Sequence, residues 1–258
     1  MNIQTLPRKD KVVKRAFVPK LDYLLFADYD QIEMRVLAYY MAKLGDDSMK
    51  DVLADPDTDL HNESARGIFQ IDREPTDPER QLGKNLNFSM VYGGGKPAVM
   101  RYLTQFNNEG GNVPVTWKYA AEVLDRFHTR WPGIKRVVGA LEVTYRDRGY
   151  LKTVAGAHLH PATTHKILSS VNQSSAAEVM RAGLRTSHRE LAGLDSHLVT
   201  VIHDEFVFDV KLSEVDYLIE NVPTWMNYPE IAKVLPVTVS LEWSHTNWAE
   251  KKGLYAGV

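Results

Sequence analysis

Four side chains in the stretch "ERQLGKNLNFSMVYGGGK", residues 79 to 96, recur every fourth position: Arg80, Lys84, Phe88 and Tyr92. In a helix such positions drift slowly round the axis and form one slanted stripe. Arg80 and Lys84 fall in the first turns, where the helix dipole also favours an anion. A triphosphate suits that pair, since Arg grips in a planar fork and Lys acts as a point charge. Phe88 and Tyr92 then offer flat apolar surface for a sugar or a base. The spacing also suits a surface helix with a cationic edge and two core aromatics. Gly93 to Gly95 end the helix and let the chain turn. "GGGK" does not make a phosphate-cradling loop. That pattern needs a Gly five residues before its Gly-Lys and a hydroxyl after the Lys, where Met90 and Pro97 stand.

Two carboxylates form a second candidate. Asp28 closes the apolar run "YLLFADYD", and Asp204 sits between the β-rich runs of "HLVTVIHDEFVFDV". Acidic residues are poor strand formers, and a buried unpaired carboxylate is costly. Two of them at strand ends invite a shared cation. Oxygen ligands in a chain without cysteine favour Mg²⁺ over zinc. Two such ions, roughly 3.5–4 Å apart, stabilise the attacking and leaving oxygens of phosphoryl transfer. Turn residues facing water are the alternative.

The elements that must position these groups follow from periodicity. Residues 23–30 read as a buried strand and 31–45 as a helix stopped by Gly45. "DDSMKDVLADPDTD" is turn-rich and marks a boundary near residue 49. Helices follow at 59–70, 77–92, 96–106, 116–130 and 132–148, with Thr116 as an N-cap and Pro132 at a helix start. "DRGYLKTVAGAHLHP" reads as an extended pair, followed by a long helix over 163–190. The runs of 197–210 hinge at His203-Asp204-Glu205. Ser213 and Asp216 resemble a capping box for the next helix. "VLPVTVSLEWS" closes as a strand. The chain is α+β: a strand-rich part made from both ends, with a helical insertion between.

Composition narrows the class. The 258 residues carry a net charge of -2, so no global field announces a nucleic-acid partner. Arg8, Lys9, Lys11, Lys14, Arg15 and Lys20 stand against Asp10 alone, a local basic arm that is either solvated or in contact with phosphate. The absence of cysteine excludes disulfides and thiolate metal sites, and suits a reducing compartment. No apolar run reaches the roughly 20 residues of a membrane span, and the N-terminus lacks a secretory core.

The motifs together resemble the family A DNA polymerases. "DYDQIEMRVLAYY" (28–40) looks like their first motif. Arg80 to Gly93 fits the form R-x3-K-x3-F-x3-Y-G, and "VIHDEFV" (201–207) looks like the third. "DLHNESA" (59–65) is similar to the helix that precedes the fingers motif. The resemblance implies an antiparallel palm sheet with flanking helices and an inserted helical fingers subdomain. It divides the chain into palm 1–48, fingers 49–150 and palm 151–258. It implies a DNA-directed DNA polymerase that extends a primer 3′ end, with primer-template DNA and deoxynucleoside triphosphates as partners and two Mg²⁺ ions as cofactor.

On that resemblance Asp28 and Asp204 hold the metals, with Glu205 beside them or the primer end. His61, Arg80 and Lys84 surround the triphosphate, and Gln31 lies near its phosphates. Phe88 lies beside the sugar and Tyr92 near the templating base. Glu33 fills the space of a ribose 2′-OH. His203 lies near the primer terminus, and Gln173 contacts the minor groove. Phe88, where some relatives carry Tyr, implies discrimination against dideoxynucleotides.

The sequence also departs from the family. Gly156, Ala157 and His158 replace Gly-Arg-Arg, and Ser169 and His165 replace Asn and Arg. Lost cations imply weaker or partner-assisted template binding. Thumb and exonuclease motifs are missing from the sequence, which implies either one half of a split polymerase or a truncated piece of a longer one. A protein partner would then supply a thumb, with or without an exonuclease, in the cytoplasm of a bacterium or a phage-infected host. The competing expectations are a non-catalytic DNA-binding accessory subunit and a metal-dependent phosphohydrolase.

Overall fold

The structure, a computed structural model, describes residues 11–55, 57–161, 163 and 166–254. Arg8 and Lys9 of the basic arm, and His165, lie outside the described residues. Two compact units emerge: Met1–Ile32 with Ala177–Ala232 and Val237–Val258, and Glu33–Ala176 with Lys233–Pro236. No helix among the described residues is long and apolar enough to cross a membrane.

The first unit opens with α1 (Lys11–Lys14) and β1 (Tyr23–Tyr29). Leu24 to Ala27 are all buried, because β1 is the middle strand of a five-stranded sheet and has no solvent face. Its neighbours come from the far end of the chain. They are β5 (Glu205–Val210), hairpinned to β4 (His197–Ile202), and β6 (Val239–Ser244), extended by β7 (Lys252–Gly253). Every pairing is antiparallel. On one face Leu24, Phe26 and Val207 pack on Trp248, with Phe17 and Ile202 at the margin. On the other, Tyr29 meets Phe206 edge-on at 6.0 Å, and its hydroxyl donates to the Met226 carbonyl at 2.7 Å. A Cβ at Gly183 would stand 2.5 Å from that hydroxyl, so only glycine lets the helix come this close.

The second unit is helical: most of α2 (Ile32–Lys43), then α3 (Ser48–Ala54), α4 (Leu60–Phe69), α5 (Asp77–Val91), α6 (Lys96–Asn108), α7 (Trp117–Arg130) and α8 (Gly133–Arg148). The short pair β2 (Leu151–Lys152) and β3 (His158–Leu159) precedes α9 (Ile167–Glu190), whose residues to Ala176 belong here. Leu151, Ile167 and Val171 form a core cluster with Tyr40, Leu141 and Tyr145 around it.

The expected mixed architecture holds, with two differences. The stretch expected to be turn contains α3, which buries Met49, Val52 and Leu53 at helical spacing. Ser213 is not a cap. The chain takes a 3-10 turn over Leu212–Glu214 before α10 (Val215–Trp225) and the short α11 (Pro229–Ala232), and no side chain caps α10. The Glu214 carboxylate is used elsewhere, accepting from the Asp195 and Ser196 amides at 3.0 and 2.8 Å.

Candidate active site

In the first unit, three carboxylate residues stand at adjoining strand ends. Asp28 on β1 lies directly opposite Glu205 on β5 in the sheet register. Asp204 occupies the two-residue turn between Ile202 and Glu205, and its carbonyl accepts from the Tyr29 amide at 3.2 Å. His203, the other turn residue, has φ of 54°, a left-handed conformation that a non-glycine residue adopts at a cost of about 1–3 kcal/mol. The turn thus places Asp204 close enough to Asp28 for their charges to interact.

The electrostatics follow. Burial first, then the Asp204 and Glu205 charges, push the Asp28 carboxyl up to about 7, against the opposing pull of Lys251. Glu205 is ion-paired with Lys251. Among the described residues no three His, Cys, Asp or Glu side chains converge as a metal cage. Two close carboxylates without a third fit Mg²⁺, which binds through one or two carboxylates, keeps waters and takes substrate phosphates. Gln31 also belongs to this unit. Its φ is 53°, and its buried Oε1 lacks a hydrogen-bond partner among the described residues.

In the second unit, the expected stripe lies on α5. Its first turn carries two acidic residues of its own, Asp77 and Glu79. The helix closes its own first turn with a capping box, in which Glu79 accepts from the Thr76 amide at 2.8 Å and is also gripped by Arg73 at 2.7 Å. Arg80 donates to Asp59 at 2.6 Å, and Asp59 also caps α4 by accepting from the His61 and Asn62 amides at 2.7 and 2.9 Å. One carboxylate thus ties Arg80 to the helix that carries His61.

His61 is buried, and its ring centre lies 6.1 Å from that of Phe88. Asn87 lies 2.9 Å from His61 Nδ1. The Asn87 side-chain carbonyl accepts from Ser64 at 2.7 Å, and Ser64 in turn accepts from the Trp131 indole at 3.0 Å. Ser64 also lies 2.9 Å from the Leu60 carbonyl, a second acceptor for its one proton; an Asn87 amide that donates to Nδ1 would leave the His61 proton on Nε2. Burial first, then the Arg80 and Lys84 charges, lower the ring to about 4 against the pull of Asp59, so it is neutral at pH 7. Asn87, Ser64, Trp131 and Asp59 were not expected from the sequence, because their partners lie 21 to 67 residues away.

A second group in this unit joins Glu33, Tyr92 and Gln173. The Tyr92 hydroxyl lies 2.9 and 3.0 Å from the two Glu33 oxygens and donates to them. Burial first, and Glu33 besides, raise the Tyr92 phenol, against a hydrogen bond from Gln173. Asn172 donates to the Glu33 carbonyl at 2.9 Å and fixes α9 to α2 within the unit. Tyr92 ends α5, and Gly93 takes the left-handed φ of 75° that turns the chain.

The family model for DNA polymerase family A matches residues 1–250. DNA polymerase I of Bacillus caldotenax is 28% identical over 272 residues, covering 97% of this chain and 29% of its own. DNA polymerase I of Lactococcus lactis subsp. lactis is 28% identical over 235 residues, covering 83% of this chain and 25% of its own. The POL domain of Pol1 from M. smegmatis, in complex with DNA primer-template and dNTP, superposes with a TM-score of 0.81 at 23% identity. That match covers 96% of this chain and 44% of that one. The chain thus spans less than a third of the curated relatives it matches.

Proposed function

From the premise that the chain belongs to DNA polymerase family A, we propose that it is a template-directed DNA polymerase core that adds deoxynucleotides to a primer 3′ end. The observation that carries the proposal is the pairing of Asp28 and Asp204 at adjoining strand ends in a chain that matches the family model almost throughout.

Asp28 and Asp204 would hold two Mg²⁺ ions, which when bound neutralise charge developing on the attacking and leaving oxygens. Everything else is positioning and fixed charge, which dominate phosphoryl transfer. Arg80 and Lys84 draw the triphosphate. Neutral His61 donates from Nε2 to a phosphate oxygen, a role that its Asn87 bond prepares. Gln31 adds a further polar contact to the phosphates. Phe88 packs against the sugar and Tyr92 sits by the templating base. Glu33, held by the Tyr92 hydroxyl, occupies the volume a ribose 2′-OH needs. Glu205 and His203 border the primer terminus, and Gln173 reads the minor groove. The primer 3′-oxygen bonds to the α-phosphorus as the bond to pyrophosphate breaks.

A thumb-bearing protein partner is part of the same reading. The turn of the β2–β3 pair carries Gly156 and Ala157, neither charged. A tight, salt-dependent affinity of the isolated chain for primer-template would count against that partner.

Primer extension by the purified chain with Mg²⁺ and four deoxynucleotides tests the function, beside Asp204→Ala. Extension that the variant abolishes is the expected result. Extension that survives in Asp204→Ala, or none from the folded wild type with or without a thumb-bearing partner, would overturn it.

A further inference from the structure

The cation that faces the carboxylates of the first unit is a lysine outside every motif. Lys251 immediately precedes β7, where Lys252 pairs with Trp243 of β6. Its ammonium is ion-paired with Glu205, lies 3.4 Å from Glu242, and sits 4.2 Å from the centre of the Phe26 ring. The Lys251 side chain is 19% exposed and that of Glu205 is 15% exposed. A surface lysine is usually free to swing, and its ion pairs contribute little. Here the stem is covered, and the head is fixed by two carboxylates and an aromatic face.

Register sets what Lys251 can reach. Phe26 and Asp28 are two apart on β1 and so share a face, and Asp28 is the direct partner of Glu205. The ammonium that stacks on Phe26 and binds Glu205 therefore stands beside Asp28. Three carboxylates close together would form a strong trap for a divalent ion. One of the three is already committed to an ammonium.

We propose that Lys251 is a positioning residue for metal uptake: it holds Glu205 away from the Asp28–Asp204 pair and places a competing positive charge beside it. The inference rests on the metal-site reading above. The chemical consequence is conditional occupancy. With two carboxylates and an adjacent cation, the site binds a divalent ion weakly until substrate phosphates bring further oxygens and negative charge. Without Lys251, Glu205 becomes available as a third ligand and the repulsion disappears.

Mn²⁺ titration of the 258-residue chain, read by the paramagnetic resonance of free Mn²⁺, tests this without nucleotide or DNA. Lys251→Met is expected to bind Mn²⁺ about tenfold tighter than wild type, as a nearby unit charge is lost. Lys251→Arg keeps the charge and stays close to wild type. In EDTA Lys251→Met melts lower than wild type, and Mn²⁺ raises its melting temperature more. If Lys251→Met does not fold, Glu205→Gln carries the test: the freed ammonium turns to Asp28 and Asp204, and Mn²⁺ binding weakens. Asp28→Asn separates the two layers of the argument. If Asp28→Asn weakens binding but neither Lys251→Met nor Glu205→Gln changes it, the Lys251 proposal is overturned and the metal site stands. If Asp28→Asn binds as wild type does, the metal-site reading itself falls.

Discussion

Gly83→Ala is the smallest change that should damage the second unit, and the structure gives its size. A Cβ at Gly83 would stand 2.4 Å from the His61 carbonyl oxygen and 3.0 Å from the Ala65 amide nitrogen. Both are backbone atoms, so no side chain can swing aside. Ordinary contact begins near 3.4 Å, so α4 must retreat from α5 by up to 1 Å. Overpacking of this kind costs about 1–3 kcal/mol. Alanine's better helix propensity returns about 1 kcal/mol. The net expectation is a loss of roughly 1 kcal/mol, which lowers the melting temperature by about 2–4 °C in a domain of this size. The same retreat pulls His61 from Asn87, whose bond is 2.9 Å long, and from the Arg80–Lys84 edge. Misplacement on that scale can cost about 10²-fold in rate. Gly139→Ala is the control. Gly139 is interior to α8, and a methyl group there would meet nothing within 4 Å, so this substitution should stabilise by up to about 1 kcal/mol. Thermal melting of both variants, with single-nucleotide incorporation for Gly83→Ala, decides the matter. If the two variants shift the melting temperature in the same upward direction, the close approach of α4 and α5 is not as described.

Two further outcomes follow from the titrating groups. Asp28 has its folded value raised from 3.8 to about 7, so between those values the native state binds more protons than the unfolded chain. Without metal, stability should therefore fall as pH rises across that window. Asp28→Asn should flatten the profile, and an unchanged slope in melts from about pH 4 to 8 would remove Asp28 as its cause. Asn87→Leu deprives buried His61 and Ser64 of a partner and should cost about 1–3 kcal/mol in chemical denaturation. Nitrogen-resolved NMR of the imidazole should show the Nε2–H form in wild type and a tautomer mixture in the variant, and an identical spectrum would rule out Asn87 as the group that sets the His61 tautomer.

What the sequence could reveal depended on the range of each interaction. The stripe on α5 was legible because a spacing of four is a local property of one helix. The β4–β5 hairpin was legible because alternation and a two-residue turn are local too. Local signals also misled. The acidic flanks of α3, with Pro56 just after it, read as turn, although Met49, Val52 and Leu53 carry a helical period and are buried. Ser213 looked like a cap because Asp216 follows it, yet Ser196 takes the neighbouring Glu214 and the chain enters α10 through a 3-10 turn. The same limit explains the site. Arg80 and His61 stand out by type, but the groups that set their geometry and protonation, Asp59 and Asn87, are fixed by how α4 packs on α5. That packing turns on Gly83, a residue with no side chain to notice. Lys251 is the extreme case: a lysine in a charged terminal stretch, "AEKKG", is ordinary in sequence, and only the register of β7 on β6 carries its ammonium to Glu205. Residues that touch substrate can be recognised by their chemistry, whereas residues that hold or restrain them are recognisable only by contact.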